Sequence, residues 1–100
     1  MLFRSFISFG HCDDKEFDDC GEIFSLYIIE EYKGKGYGRK LCETAINHFK
    51  LDGYNKMIVG CIDGNPSNNF YKHIGGKKIR EKVIIRGGQK LVENIYFYEI

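Results

Sequence analysis

The sequence predicts an α/β fold: a mixed sheet of about five strands carrying one long and one short helix, built around a central βαβ unit. Three features predict it. The apolar spacing changes from near-continuous to helical across a basic, glycine-rich stretch, Lys33-Gly34-Lys35-Gly36-Tyr37-Gly38-Arg39-Lys40. A second apolar run of strand length follows the helical segment at the distance a parallel crossover needs. Two further strand-like runs flank Arg86-Gly87-Gly88-Gln89, a hairpin signal.

Taken in order, Phe3 to Phe9 alternates and reads as a strand. Gly10 to Gly21 is a connection crowded with Asp13, Asp14, Glu16, Asp18 and Asp19, which reads as a solvated hairpin loop. Glu22 to Ile29 is nearly continuous in apolar residues, as a central strand covered on both faces would be. A helix from about Tyr37 to Asp52 places Leu41, Cys42, Ala45, Ile46 and Phe49 on one face, and Gly53 suits its end. Lys56 to Ile62 is a third strand, expected parallel to the second. Asn65 caps a short helix that starts at Pro66, runs to about Ile74 and stops at Gly75-Gly76. Lys77 to Ile85 and Lys90 to Ile100 complete the set.

One hundred residues support one domain, here residues 1–100. The 43% hydrophobic content excludes a disordered chain. A net charge of +1 argues against a nucleic-acid partner, which calls for a basic surplus. No run is long enough to span a membrane and no leader pattern follows Met1, so no membrane is expected and a reduced, cytoplasmic setting is. Cys12, Cys20, Cys42 and Cys61 form no C-x-x-C pair, and His11, His48 and His73 share no ligand spacing, so no metal site is expected. Cys42 and Cys61 read as small buried hydrophobes.

The positive charge is local. The glycine-rich turn brings backbone N–H groups and the positive end of a helix dipole together beside Lys33, Lys35, Arg39 and Lys40, the physics of a phosphate cradle. It is not a Walker A loop, because no Ser or Thr follows a Gly-Lys pair. Its G-x-G-x-G spacing also falls short of the dinucleotide fingerprint.

The run from Glu22 through Leu41 resembles the acyl-CoA-binding motif of the GNAT superfamily of N-acetyltransferases, with Lys33 at the Gln/Arg position and Gly36 and Gly38 at the two small positions. Asn65-Pro66-Ser67-Asn68-Asn69-Phe70-Tyr71-Lys72-His73-Ile74-Gly75-Gly76 resembles the family's later segment. The resemblance implies a truncated GNAT-like fold, lacking the strand and two helices that usually precede these motifs. It implies acetyl-CoA as cosubstrate, in a cleft where strands two and three splay. The cofactor-binding residues it implies are Leu26, Tyr27 and Ile28 along the strand, Lys33, Gly34, Lys35, Gly36, Tyr37, Gly38 and Arg39 in the turn, and Asn65. A backbone N–H near Ile28 would polarise the thioester carbonyl. Glu22 aligns with a catalytic glutamate and Tyr71 with the tyrosine that points at the sulfur. The expected activity is direct transfer of acetyl from acetyl-CoA to a primary amine of a small molecule or protein. The second expectation is a weak or inactive CoA-binding or dimerisation module on the same fold. A homodimer is expected from the open edge of the first strand, by edge pairing or by exchange of the last strand.

Overall fold

A computed structural model describes residues 5–28 and 36–100. Five strands form one sheet: β1 (Ser5–His11), β2 (Gly21–Ile28), β3 (Lys56–Ile62), β4 (Lys77–Arg86) and β5 (Gln89–Glu99), in the order β1-β2-β3-β5-β4. Helix α1 (Tyr37–Leu51) connects β2 to β3, and α2 (Ser67–His73) connects β3 to β4. β2 and β3 are parallel, as the crossover demands, and the other neighbours are antiparallel.

Both helices pack on one face of the sheet. α1 buries Cys42, Ala45 and Phe49 against Ile23, Met57, Val59 and Cys61, while Tyr71 from α2 joins Tyr96 and Tyr98 in the same cluster. The helix approaches closely at Gly21, where an added Cβ would fall 2.5 Å from the Phe49 ring. α1 stops where the sequence places its stop: Gly53 has φ 90°, and Tyr54 N–H donates back to the Phe49 carbonyl at 2.9 Å. α2 begins one residue later than expected. Pro66 occupies the cap position, yet the Asn65 carboxamide still accepts from the Ser67 N–H at 2.8 Å, so the capping physics is the one expected.

The acidic connection departs from a plain solvated loop. It contains a 3-10 turn, Lys15–Phe17, and lies over the sheet's second face. Phe17, Cys12 and Cys20 are buried there against Ile58 and Ile95. Three of its five acids form ion pairs: Asp14 with Lys82, Glu16 with Arg80, and Asp19 with Lys56 at 2.8 Å. Residues 13–19 thus strap the second face, with apolar anchors beneath and charges at the rim.

β2 also departs from expectation. Ser8 pairs with Ser25 but Phe9 pairs with Ile23, so Phe24 is an extra residue, a β-bulge. The bulge resets the alternation, so that Ile23 and Leu26 both meet the helix-side core. Phe24 is left 53% exposed on the second face, so among the described residues β2 is covered on one face only over its second half. A continuous apolar run hides such a bulge, because no polar residue marks the change of side.

α2 is tied to β5 by a buried polar network. Asn68 donates to the carbonyls of Ile62 and Asn65 and accepts from Asn94 at 3.0 Å and from the Tyr96 hydroxyl at 2.7 Å. Tyr96→Phe removes one bond while leaving Asn68 another donor. The expected loss is about 1 kcal/mol, read as a fall of roughly 5 °C in Tm by calorimetry.

Candidate functional site

The bulge sets the site. β2 and β3 pair only at Gly21 with Met57, Glu22 with Ile58 and Ile23 with Val59. Beyond Ile23, β2 continues to Ile28 along β1 alone, while β3 continues to Ile62 along β5. The two strands part inside the sheet, and among the described residues the backbone of β2 from Phe24 to Ile28 has no strand partner on its β3 side. This is a slot that an extended chain can enter and pair with as a strand would. Leu26 flanks it on the helix side, packed against the core. Tyr27 and Ile28 contribute backbone positions in β2.

The α1 N-terminus is the second component. Gly36 has φ 81°, a left-handed conformation that favours glycine, and an added Cβ there would meet nothing within 4 Å. Among the described residues no side chain caps the helix, and no acid lies in its first turn. The opening amides of an α-helix have no intrahelical acceptor, and those of α1 lie at Tyr37, Gly38 and Arg39. Lys40 sits 5.9 Å over the Tyr37 ring, and Arg39 reaches Glu43 at 3.7 Å. Lys33, Gly34 and Lys35 lie outside the described residues.

Tyr71 and Glu22 lie on opposite faces of the sheet. Tyr71 is 7% exposed, on the helix face, with its ring 5.5 Å from Phe70 and 6.1 Å from Tyr96. Burial pushes its pKa up to about 12, and the neighbouring Cys61 and Cys42 thiols push the same way. A phenol so placed keeps its proton at neutral pH and can only donate it. Glu22 is half-buried on the second face. Burial raises its pKa above the usual carboxylate range, and the Glu93 charge adds to the rise, while the Cys12 thiol and the Lys82 ammonium oppose it. The sheet in which β2 and β3 part thus carries a carboxyl on one face and a buried phenol on the other. Asn65, at the β3–α2 turn, is exposed, and its side-chain oxygen is engaged by Ser67.

Three residues that the sequence did not single out belong beside Glu22. Gly10 is its partner in β1, and Gly60 follows Val59, the last β3 residue paired with β2. The Glu93 carboxylate rests on Gly60: an added Cβ would fall 2.7 Å from its Cδ and 2.8 Å from Oε2. In the sequence Glu93 is one polar residue in a strand, and its role depends on a register that only the fold supplies.

Comparison with known proteins agrees with this geometry. A family model described as the Acetyltransferase (GNAT) family matches residues 5–75. An uncharacterised N-acetyltransferase of Bacillus subtilis, YuaI, is 30% identical over 88 residues, spanning 88% of this chain and 51% of that protein. The chain thus spans about half the length of that relative. Among solved structures, an N-acetyltransferase from Staphylococcus aureus superposes with TM-score 0.77 at 20% identity, over 95% of this chain and 59% of that one. Arabidopsis thaliana NAA60 in complex with acetyl-CoA superposes with TM-score 0.71 at 19% identity, over 81% of this chain and 48% of that one.

Proposed function

The chain belongs to the acetyltransferase (GNAT) family, and from that premise we propose that it transfers an acetyl group from acetyl-CoA to a primary amine in a ternary complex. The observation that carries this reading is the parting of β2 and β3 after Ile23 and Val59. The residues present suit acetyl-CoA. The unpaired backbone of Leu26, Tyr27 and Ile28 matches an amide-bearing pantetheine arm. The N-terminal amides of α1 and the positive end of its dipole, at Gly36 to Arg39, with Lys33, Gly34 and Lys35 before them in the sequence, suit its diphosphate.

Acetyl-CoA supplies the thioester. The amine nitrogen bonds to the acetyl carbon as the C–S bond breaks, the surplus amine proton passes to Glu22, and the sulfur takes a proton from Tyr71; Glu22 then releases its proton to solvent and Tyr71 regains one from it. An alkyl amine has an ordinary pKa near ~10.4, so a base that holds protons more strongly than an ordinary carboxylate is the better match. A backbone N–H near Ile28 polarises the carbonyl as charge develops on its oxygen. Asn65, whose oxygen is already engaged, contributes its amide N–H groups at the slot's rim. The reading includes a homodimer formed along β1, which is an edge strand in the described sheet.

The test has two parts. Acetyl-CoA at 100 times its Kd is expected to stabilise the protein by about 2.7 kcal/mol, read as a rise in Tm. Release of CoA thiol on adding amines then separates an enzyme from a CoA-binding module. No shift in Tm at millimolar acetyl-CoA removes the reading; a shift without thiol release from any amine leaves only the module.

A further inference from the structure

The second face of the sheet carries more than Glu22 beside the parted strands. Glu22 lies between Gly10 on β1 and Ile58 on β3, and Gly60 is two residues beyond Ile58 on the same face. Two glycines therefore leave backbone as the floor around the Glu22 carboxylate. Phe24 walls this floor on one side, with its Cε2 3.0 Å from where a Gly10 Cβ would stand. Glu93 walls the other side, its carboxylate lying directly on Gly60. Lys82, the β4 partner of Glu93, does not neutralise the pair fully, because its ammonium is bonded to Asp14 and lies 5.5 Å over the Phe17 ring. The arrangement is a bare backbone floor between two carboxylates and an exposed aromatic edge, open at the first β3 residue past the parting of the strands.

We propose that Glu93, seated on Gly60, is a specificity-determining residue for a cationic acceptor: it and Glu22 receive an alkylammonium group over the Gly10–Gly60 floor. This rests on the acetyl-transfer reading and extends it to the substrate class. The ammonium meets Glu93 from one side and loses its first proton to solvent, becoming the neutral nucleophile at the mouth of the slot and leaving Glu22 free to take the second proton on attack. The hydrocarbon next to the nitrogen lies against Phe24. Gly60 is a requirement of this arrangement, since any side chain there displaces the Glu93 carboxylate.

The electrostatic surroundings of Glu22 give a second readout. From the strap it meets the Cys12 thiol and Asp13, from β4 Lys82 and from β5 Glu93; Gly10, Ile58 and Gly60 bring no charge. Removing the Glu93 charge takes away a neighbour that raises the proton affinity of Glu22, so its titration moves to lower pH.

The test needs no turnover. Butylammonium chloride is titrated into the protein while the Gly10 and Gly60 amides and the Glu22 side-chain carboxyl carbon are followed by NMR. The expected result is saturable shifts at both glycines, weakened about tenfold in Glu93→Gln and in Gly60→Ala, and unchanged in Glu99→Gln on the same strand. In Glu93→Gln the Glu22 titration midpoint also falls. Gly60→Ala keeps the charge and moves it, so agreement between the two variants ties the effect to the position of the carboxylate. Absence of saturable shifts in the wild type, or equal affinity in Glu93→Gln, overturns the proposal. Thiol release from acetyl-CoA is measured separately, so failure of the acetyl-transfer reading is seen on its own.

Discussion

Tyr71→Phe is expected to lower kcat for acetyl transfer by about 100-fold or more while leaving acetyl-CoA affinity within about twofold, because a positioned general acid contributes roughly 10²–10⁴. The expected size follows from the surroundings of Tyr71. A pKa raised to about 12 by burial makes the phenol a poor base and a retained donor at neutral pH. The substitution removes one oxygen from a ring otherwise held by Phe70 and Tyr96, so folding is expected to be nearly unaffected. Isothermal titration with acetyl-CoA and stopped thiol assays separate the two parameters. A kcat unchanged by the substitution assigns sulfur protonation to another group.

Gly76→Ala is expected to cost about 3 kcal/mol of stability, a fall of roughly 15 °C in Tm. An added Cβ would lie 2.6 Å from the Tyr71 carbonyl oxygen and 2.5 Å from the Tyr98 hydroxyl oxygen. Neither can yield cheaply. The Tyr71 carbonyl accepts the Gly76 N–H at 2.9 Å and the Tyr98 hydroxyl at 2.8 Å, and these bonds close α2 and fix it to β5. The methyl group breaks at least one of them and leaves a buried oxygen short of a donor. Because the carbonyl belongs to Tyr71, the same change displaces the proposed acid, and turnover is expected to fall even well below the new Tm. Calorimetry and the thiol assay at low temperature check both halves.

The strand–helix–strand unit was legible in the sequence because its signals are local. The helical spacing of Cys42, Ala45 and Phe49 gave α1 its buried face, and Lys56–Ile62 is the strand expected. Gly87 and Gly88, both with positive φ, turn the last hairpin as their pairing foretold. What stayed hidden depends on register. The Phe24 bulge sits inside an unbroken apolar run, so alternation carries no trace of it. Glu93 and Gly60 meet only because β5 inserts between β3 and β4, an order that no short stretch encodes. The strap misled for a different reason. Its acids are largely solvent-facing, as read, but Phe17 among them is buried and three of them pair with Lys56, Arg80 and Lys82, up to 68 positions away. Of the expected site residues, Glu22 and Leu26 lie in β2, Gly36 stands just before α1 and Tyr71 lies in α2. Lys33, Gly34 and Lys35 lie outside the described residues.

All four sulfurs are shut inside the protein: Cys12, Cys20, Cys42 and Cys61 are each 7% exposed or less. The first three are held to pKa values of about 11 by burial, and the fourth is raised as well. A thiol held so far from ionisation is a poor nucleophile. The folded molecule is therefore nearly silent toward a disulfide dye, and colour that develops with acetyl-CoA and an amine reports coenzyme set free, not the polypeptide.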